Sequence, residues 1–418
     1  MEAVGGRLAG GRARGYRRIF HDAGRNEAAV ISMTRLSIFF FLFFLVSVEK
    51  CTGEKMLPVN PLYRDAFIPA KACGKCHPQI YAMWKESMHA HSSDDPIFET
   101  SLAQACLASG GKAKKLCMRC HAPTTLLTRD YSKHLPITNE GVTCDFCHSV
   151  SGIDLGDPEN PFFINREMLK GIDWLRGRSF HDRRIPDALR QSGFCAACHE
   201  YTAENGVTLL GTYSEWKAGP FAGNNTSCQG CHMASSKGTP RDHRMVRPGK
   251  RNSADTGSGE AGNLQESTGE LRVRISRVDR VDGHLTVRVR ILNTGCGHCV
   301  PTGMPSRSLV LICEVQTGAV GRGLTRSKVF RKRLVEQESG EAFADDAGFF
   351  LKPGRVLEDN RLLPGERRMV EFKFLVAPKE ELRVSAYVNY LYQPVLMRRT
   401  RMVIHGSGDE VHIGTTKN

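Results

Sequence analysis

The sequence predicts an α+β protein in two parts: a region of short helices and loops, followed by an antiparallel β-sandwich. The chain has 418 residues, enough for two to four domains of roughly 100–200 residues each. It contains 15 cysteines and 15 histidines, well above the content of an ordinary globular chain, and most of the cysteines lie before residue 233. Apolar and polar residues alternate with a period of two only after residue 268. The cysteines and histidines therefore define the first part, and a sheet defines the second.

Residues 1–50 are predicted to be a leader that precedes the folded protein. Residues 1–32 are rich in Gly and Arg and show no apolar periodicity, so they cannot form a packed core. A basic start at Met33 and the apolar run 36–46 are the parts of a secretory signal peptide, which makes Met33 the candidate for the true start of translation. The sequence therefore predicts an exported protein, located in the periplasm, outside the cell or on its outer surface.

The apolar run at 36–46 is shorter than the roughly 20 residues that span a bilayer, which excludes a protein with several membrane-spanning helices. A short membrane anchor or a buried helix is the alternative to a signal peptide. Cys51 beyond the run leaves lipid attachment open, although Lys50 occupies the position where such sites need a small residue.

Ten of the cysteines form five copies of the motif Cys-x-x-Cys-His. In order, the motif residues are Cys73, Cys76 and His77; Cys117, Cys120 and His121; Cys144, Cys147 and His148; Cys195, Cys198 and His199; Cys228, Cys231 and His232. Two thiols at this spacing add to the vinyl groups of one haem, and the adjacent histidine binds the iron as proximal ligand. Structural zinc and disulfide frameworks also use cysteine pairs, but neither needs a histidine after every pair. The sequence therefore predicts five covalently attached c-type haems.

The five motifs are closely spaced along the sequence. They lie within residues 73–232, which is too little protein to bury five macrocycles separately. The haems must then pack against one another and form the core. We therefore predict a pentahaem cytochrome c domain over residues 51–248, in which helices and loops surround haems close enough to exchange electrons.

The second axial ligand decides what each haem can do, because a second histidine closes the iron and an open position admits substrates. Nine histidines lie outside the motifs and the leader: His89, His91, His134, His181, His243, His284, His298, His405 and His412. Any of them could instead be a surface or hydrogen-bonded histidine. The candidate iron ligands are His89, His134, His181, His243 and His298. With so many histidines for five irons, we expect bis-histidine ligation and no open haem.

A short internal repeat favours His89. It lies in YAMWKESMHA, which follows the first motif, and a second copy, TYSEWKAGPFA, precedes the fifth motif and repeats its aromatic pair at Tyr213 and Trp216. Phe221 stands where the first copy has its histidine. The haem of the fifth motif must then take another ligand, for which His243 is the first candidate, or be five-coordinate. The alternative is that the two copies are ordinary amphipathic helices that share an aromatic pair.

Four segments of the first part carry a family resemblance: WKESMHA, GVTCDFCH, FCAACHE and SCQGCHM. Over about residues 70–248 the chain resembles multihaem cytochromes c of the cytochrome c-554 type, which border the hydroxylamine-oxidoreductase and tetrathionate-reductase cytochromes. The resemblance implies that His89 binds a haem iron and that His181, in a Ser-x-His context, does the same. The chain departs from the family at Phe221 and in having five motifs instead of four.

Residues 296–303 read CGHCVPTG. The pattern Gly-His-x-x-Pro-Thr-Gly resembles an element at the edge of a β-domain in several secreted multihaem cytochromes, which makes His298 a candidate ligand that reaches across the domain interface. Val300 in place of a histidine excludes a sixth haem at Cys296 and Cys299. We expect these two cysteines to form a structural or labile disulfide, with a redox-active pair as the alternative.

The second part is predicted to be a β-sandwich over residues 269–405. A linker rich in Gly, Ser and Asn precedes it at 249–268, and residues 406–418 are predicted to be a disordered tail. Period-two runs predict an antiparallel sandwich of about seven strands, among them LRVRISRV, HLTVRVRILN, SLVLICEVQ, MVEFKFLV and LRVSAYVNYLY. The domain shows no paired carboxylates, catalytic triad or phosphate-binding glycine loop.

Net charge at pH 7 is +14, but half of it lies in the β-domain, because residues 249–418 alone contribute +7. Haem propionates would add negative charge to the first part, so the whole-chain charge does not indicate nucleic-acid binding. The basic β-domain is either a solvated surface or a docking surface for an acidic redox partner or the cell surface.

The sequence therefore predicts an exported multihaem cytochrome that carries electrons and is not itself an enzyme. Its expected partners are redox proteins, such as other cytochromes or membrane quinol-linked donors; oligomers and membrane association stay open. One alternative is a multihaem reductase or oxidase of a small nitrogen or sulfur compound, working at a five-coordinate haem. A filament-forming extracellular cytochrome is the other.

Overall fold

The structure is a computed structural model, and the predicted α+β class with a helical first part and a β-rich second part is confirmed. The described residues are 58–165, 185–235, 241–245, 271–317, 323–378 and 381–392, with the backbone of three further strand segments at 172–173, 178–179 and 402–413. The predicted leader, the predicted linker and His181 lie outside the described residues.

The first part consists of short α-helices joined by loops and two-stranded hairpins. Its helices are α1 (Ala70–Cys73), α2 (Pro78–Lys85), α3 (Pro96–Ser109), α4 (Ala113–His121), α5 (Thr125–Thr128), α6 (Pro136–Asn139), α7 (Cys144–Ser149), α8 (Ser192–His199), α9 (Thr212–Lys217), α10 (Pro220–Gly223) and α11 (Cys228–His232). The hairpins pair β1 (Val150–Ile153) with β2 (Phe162–Ile164), β3 (Ile172–Asp173) with β4 (Arg178–Ser179), and β5 (Glu200–Thr202) with β6 (Thr208–Gly211).

Local sequence signals account for the helix ends. The longest helix, α3, begins at a proline, and the Asp95 side chain before it accepts hydrogen bonds from the N–H groups of Ile97 and Phe98 at 3.0 and 2.9 Å. It ends at Ser109, and the next residue, Gly110, has a φ of 63°, the left-handed conformation that favours glycine at this position. Four of the five Cys-x-x-Cys-His motifs lie in helices that end at the motif histidine or one residue beyond it.

The apolar protein core of the first part is divided into small clusters. The largest of these groups Phe67, Phe146 and Phe162 around α7 and the first hairpin. By contrast, a single large cluster fills the second part, with Leu285, Val287, Val289 and Ile291 fully buried on one face of one strand. This division fits a first part whose residues surround haems rather than a continuous apolar core.

The second part is an antiparallel sandwich with eight strands among the described residues. They are β7 (Leu271–Val281), β8 (His284–Asn293), β9 (Arg307–Thr317), β10 (Gly323–Glu336), β11 (Gly354–Asp359), β12 (Arg367–Leu375), β13 (Leu382–Tyr392) and β14 (Met402–Ile413). One sheet has the order β11-β10-β9-β13-β14 and the other the order β12-β8-β7. All five alternating runs lie in strands, at β7, β8, β9, β12 and β13.

The predicted end of the domain at residue 405 was wrong. β14 runs to Ile413, which pairs with Leu382 of β13, so most of the predicted tail 406–418 belongs to the sheet. The segment HGSGDEVHI has no clear alternation, and its pairing with the long strand β13 overrides that weak local signal.

The sandwich packs directly on the first part. Leu209 of β6 shares an apolar cluster with Leu334 of β10 and with Phe343 and Phe349, the last on the short helix α12 (Gly348–Leu351). Nδ2 of Asn205, at the tip of the β5–β6 hairpin, donates to the carbonyl of Gly354 at 2.8 Å. Among the described residues, no helix combines the length and apolar character needed to cross a membrane.

Candidate functional site

One cavity of about 2410 Å³ is lined by residues of all five Cys-x-x-Cys-His motifs. This volume is well above the roughly 300–1,000 Å³ of a typical site for one drug-sized ligand. The ten motif cysteines and five motif histidines all line this cavity. The donor set fits c-type haem, because each motif brings two thiols and an imidazole to the same enclosed space.

Cysteines of different motifs touch one another. The thiol of Cys144 donates to Cys73, that of Cys198 to Cys120, and that of Cys195 to Cys228. The bond from Cys195 lowers the pKa of Cys228 to about 6. The haem sites of the first and third motifs are therefore neighbours, as are those of the second and fourth and of the fourth and fifth.

The fourth motif is the centre of this arrangement. It contacts Cys120 and Cys228 and lies near Cys147 of the third motif. The hydrogen bonds that Cys195 and Cys198 donate, and then burial, raise the pKa values of these two thiols, and Cys147 adds a smaller electrostatic contribution to both. Burial alone raises the pKa of Cys147 to about 12. These contacts join the first motif to the third and the fourth motif to the second and the fifth, and the third motif lies near the fourth.

The internal repeat is a repeat of tertiary structure. The rings of Tyr81 and Trp84 lie 5.8 Å apart at 33°, and those of Tyr213 and Trp216 lie 5.5 Å apart at 31°. The indole N–H of Trp84 donates to the carbonyl of Val142 at 2.9 Å, and that of Trp216 to the carbonyl of Thr226 at 3.0 Å. Each acceptor lies two residues before a motif, the third and the fifth respectively.

The ring of His89 lies beside that of His199, the motif histidine of the fourth site. The two ring centres are 6.2 Å apart. Two imidazoles that bind one metal ion from opposite sides, with metal–nitrogen bonds of about 2 Å, have ring centres about 6 Å apart. Burial, with a smaller contribution from His121, lowers the pKa of His89 to about 4, and burial lowers that of His199 to about 4. Both rings are then neutral at pH 7 and can bind a metal.

Close backbone approach positions His89. Gly141, with φ 62°, precedes the third motif, and a Cβ atom there would lie 2.5 Å from the carbonyl oxygen of His89. The next residue, Val142, donates its N–H to that carbonyl at 2.9 Å. On its other side, Nδ1 of His89 contacts the sulfur of Met245. The glycine of the GVT segment is therefore required by the packing of this loop on His89.

The ring of His298 lies beside that of His232, the motif histidine of the fifth site. Their centres are 6.3 Å apart and their planes differ by 12°. Nδ1 of His298 donates to the carbonyl of Cys299 at 2.9 Å, which leaves Nε2 for a metal. The sequence interpretation favoured His243 for this site, whereas the ring that faces His232 is His298, from the β-domain.

Phe221 has a structural explanation. In the first copy of the repeat, the ring of His89 lies beside that of His199, the motif histidine of the fourth site. Phe221 is the matching residue of the second copy. It packs instead on the loop that carries His298, where a Cβ atom on Gly297 would lie 3.2 Å from Trp216 and 3.6 Å from Phe221.

Glu215 attaches this loop to α9, and the sequence reasoning missed it. One of its oxygens accepts the N–H of Cys299 at 3.2 Å and the hydroxyl of Thr302 at 2.7 Å. The other pairs with Arg361 at 2.5 Å, and both side chains are about one-tenth exposed, at 10% and 9%. The available signal was a carboxylate inside the second copy of the repeat, where the first copy has Met83.

No disulfide joins Cys296 to Cys299, contrary to the sequence expectation. The Cys299 thiol is buried and hydrogen-bonded to Glu215, and burial raises the pKa of this thiol to about 12. The loop is held by this carboxylate rather than by a covalent bridge.

His243 also lines the cavity. Its Nδ1 donates to the carbonyl of Arg241 at 2.8 Å, which again leaves Nε2 available, and burial lowers its pKa. His121 is held in the same way, because its Nδ1 donates to the carbonyl of Ser92 at 2.8 Å while Phe98 stacks on its ring at 3.8 Å. Donation by Nδ1 to a carbonyl is a common way of orienting a ligating imidazole.

The other histidines whose side chains the structure describes do not line the cavity. His134 is exposed and is not among the lining residues, which removes the support for its predicted role as a ligand. His91 and His284 are also exposed, and His91 contacts the carbonyl of Lys85 at 3.1 Å. The side chains of His405 and His412 lie outside the described part. Within the described residues, His89, His243 and His298 are therefore the histidines that line the cavity besides those of the motifs.

Residues 72–149 match the family described as cytochrome c554 and c-prime. A penta-heme cytochrome c552 from Thermochromatium tepidum is 22% identical, with a TM-score of 0.63 over 83% of this chain and 99% of that chain, so the two share a fold. A β-glucosidase from Kluyveromyces marxianus is 16% identical, with a TM-score of 0.16 over 32% of this chain and 15% of its own. No curated protein matches the chain.

Proposed function

We propose that this multihaem cytochrome c holds five c-type haems in one connected array and serves as an exported electron carrier. Haem c, when bound, supplies one-electron redox chemistry at its iron. The observation that carries the proposal is that all five motifs line one cavity and that cysteines of different motifs touch each other. Sites this close allow electrons to move between them without leaving the protein.

Histidine pairs support a closed coordination sphere at two sites. We assign His199 and His89 to the fourth iron, and His232 and His298 to the fifth, because their ring separations of 6.2 and 6.3 Å suit two ligands of one metal. His243 is the proposed ligand for one of the first three sites, and His181 stays a prediction. An iron with two histidine ligands has no position for a substrate, which favours a carrier over an enzyme.

The cysteine contacts also support a route for electrons between the five sites. A single line of sites would connect each motif with at most two others, whereas the fourth motif contacts the second and the fifth and also lies near Cys147 of the third. Electrons that enter at any outer site would pass through the fourth, and the pair His89 and His199 would control its accessibility and potential.

Intact mass spectrometry and electron paramagnetic resonance (EPR) of the mature, oxidised protein test the proposal together. We expect the mass of five haems, a chain that begins after the leader, and only low-spin iron. Fewer than five haems would refute the loading. A high-spin signal, with rapid binding of cyanide or nitric oxide at one haem, would instead support a reductase or oxidase of a small nitrogen or sulfur compound.

A further inference from the structure

The outer face of the three-stranded sheet carries arginines without acidic partners at one end. Strands β7, β8 and β12 point their apolar residues into the sandwich, so the alternate residues face outward. At the end of the sheet nearest the first part, four exposed outward residues are arginines, and none of them forms an ion pair within the described residues. These four, which we call the arginine face, are Arg272, Arg274, Arg290 and Arg367.

Two of these arginines oppose each other directly. Arg274 of β7 is in register with Arg290 of β8. Like charges that lie directly opposite on neighbouring strands destabilise a sheet. The sheet therefore keeps an arrangement that its own stability does not favour.

The other end of the same outer face is neutralised. Arg277 pairs with Asp279 at 2.7 Å, and Arg288 pairs with Glu371 at 3.1 Å. Glu371 also contacts Lys373 at 3.4 Å. Within the described residues, acidic side chains are therefore placed beside basic ones at one end only, and the arginine face presents a concentration of positive charge that suits a negatively charged partner.

Two apolar residues lie within the arginine face. Leu292 lies between Arg272 and Arg367 across the three strands, and Met369 of the edge strand β12, which is 49% exposed, lies next to Arg290. Apolar residues among arginines are common in protein interfaces. Because neighbouring strands lie only about 4.8 Å apart, a patch on three strands covers a small area. Small interfaces are typical of transient electron-transfer complexes rather than of permanent ones.

The arginine face adjoins the loop that carries His298. Leu292 faces outward. The side-chain amide Nδ2 of the next residue, Asn293, donates to the carbonyl of His298 at 3.1 Å and to that of Leu363 at 2.9 Å. A protein docked on this face would therefore sit next to the strand end that supports the proposed ligand of the fifth iron.

We propose that the arginine face docks an acidic redox protein that exchanges electrons with the fifth haem. This rests on the proposed function for the ligation of that haem. In the step, the partner loses one electron and one haem iron goes from the ferric to the ferrous state, with no bond made and no proton moved. Opposite charges accelerate such encounters at low ionic strength, and salt weakens the effect.

The probe is an acidic plant-type ferredoxin, reduced and mixed with the oxidised holoprotein in a stopped-flow instrument. The test variant is Arg274→Glu with Arg290→Glu. The matched control is Lys328→Glu with Arg333→Glu, which reverses two exposed charges on β10 of the other sheet. We expect the second-order rate at low salt to fall at least tenfold in the test variant and by less than twofold in the control. Salt should slow the wild-type protein but not the test variant.

An unchanged rate in the test variant, or an equal loss of rate in the control, would overturn the proposal. So would a third result, in which the wild-type protein binds vesicles that contain one part phosphatidylserine in four, and the test variant loses this binding but keeps its rate with ferredoxin. The last would assign the arginine face to a lipid surface. Calorimetry with oxidised ferredoxin measures docking without electron transfer, and intact mass spectrometry measures how many haems the protein carries. A failure of docking is therefore distinguishable from a failure of haem loading.

Discussion

Glu215 of α9 and Arg361 of the β-domain form an ion pair of 2.5 Å in which both side chains are nearly buried. The same carboxylate holds the loop of His298, so a single residue of the haem region fixes a proposed iron ligand that belongs to the other part of the chain. Arg361 keeps a second partner in Asp359 at 2.8 Å. The position of His298 thus depends on an electrostatic contact between the two parts.

Replacing Glu215 by Gln should loosen this contact without removing a ligand. A hydrogen bond to a charged group contributes about 2 kcal/mol, so we expect the loop to detach more readily and part of the fifth haem to become high-spin. EPR of the oxidised holoprotein measures that fraction, and Glu204→Gln, an exposed carboxylate on the β5–β6 hairpin, is the control. A spectrum equal to the wild type in both variants would show that Glu215 does not position His298.

Replacing His298 by Ala should open the fifth site completely. We expect one haem of five to change from low to high spin while intact mass still shows five haems, because the thioether bonds do not involve this residue. His284→Ala, an exposed histidine outside the cavity lining, should leave the spectrum unchanged. Loss of a haem, or an unchanged spin state, would contradict the assignment.

His89→Ala should have the same effect at the fourth site, with wider consequences. Because the fourth motif contacts the second and the fifth and lies near the third, a change in its potential should slow reduction of the haems beyond it as well as create one high-spin iron. His134→Ala is the control, since that ring is exposed and does not line the cavity. Stopped-flow reduction followed at several wavelengths separates a local effect from one on the whole array, and equal behaviour of the two variants would exclude the assignment.

Cys147→Ala should yield a protein with one covalent thioether fewer at the third haem and much lower stability. Cys147 lines the cavity near the fourth motif, and the described residues of the first part form only small apolar clusters of their own. Loss or loosening of this haem should therefore lower the unfolding temperature of the first part, measured by circular dichroism at a haem band. Cys313→Ala, in the core of the sandwich, should keep five haems and leave that band unchanged.

The two copies of the aromatic repeat offer a comparison within one chain. Trp84→Phe and Trp216→Phe each remove an indole N–H that donates to a carbonyl two residues before a motif. We expect Trp84→Phe to disturb the third haem and Trp216→Phe the fifth, each by about 1 kcal/mol of local stability. Resonance Raman or EPR signals that change at the same haem in both variants would argue against the repeat.

The sequence by itself determined the haem-binding chemistry and the class of the fold. A Cys-x-x-Cys-His motif is local, so the spacing of three side chains is enough to identify it, and the alternating runs identified the strands because a period of two places residues on one face of a sheet. Only the tertiary structure decided which sites adjoin, that His298 rather than His243 faces His232, and that Glu215 holds the loop between them. These relations join residues far apart in sequence, at positions that no local spacing encodes, and they depend on how the surfaces of the two parts pack against each other.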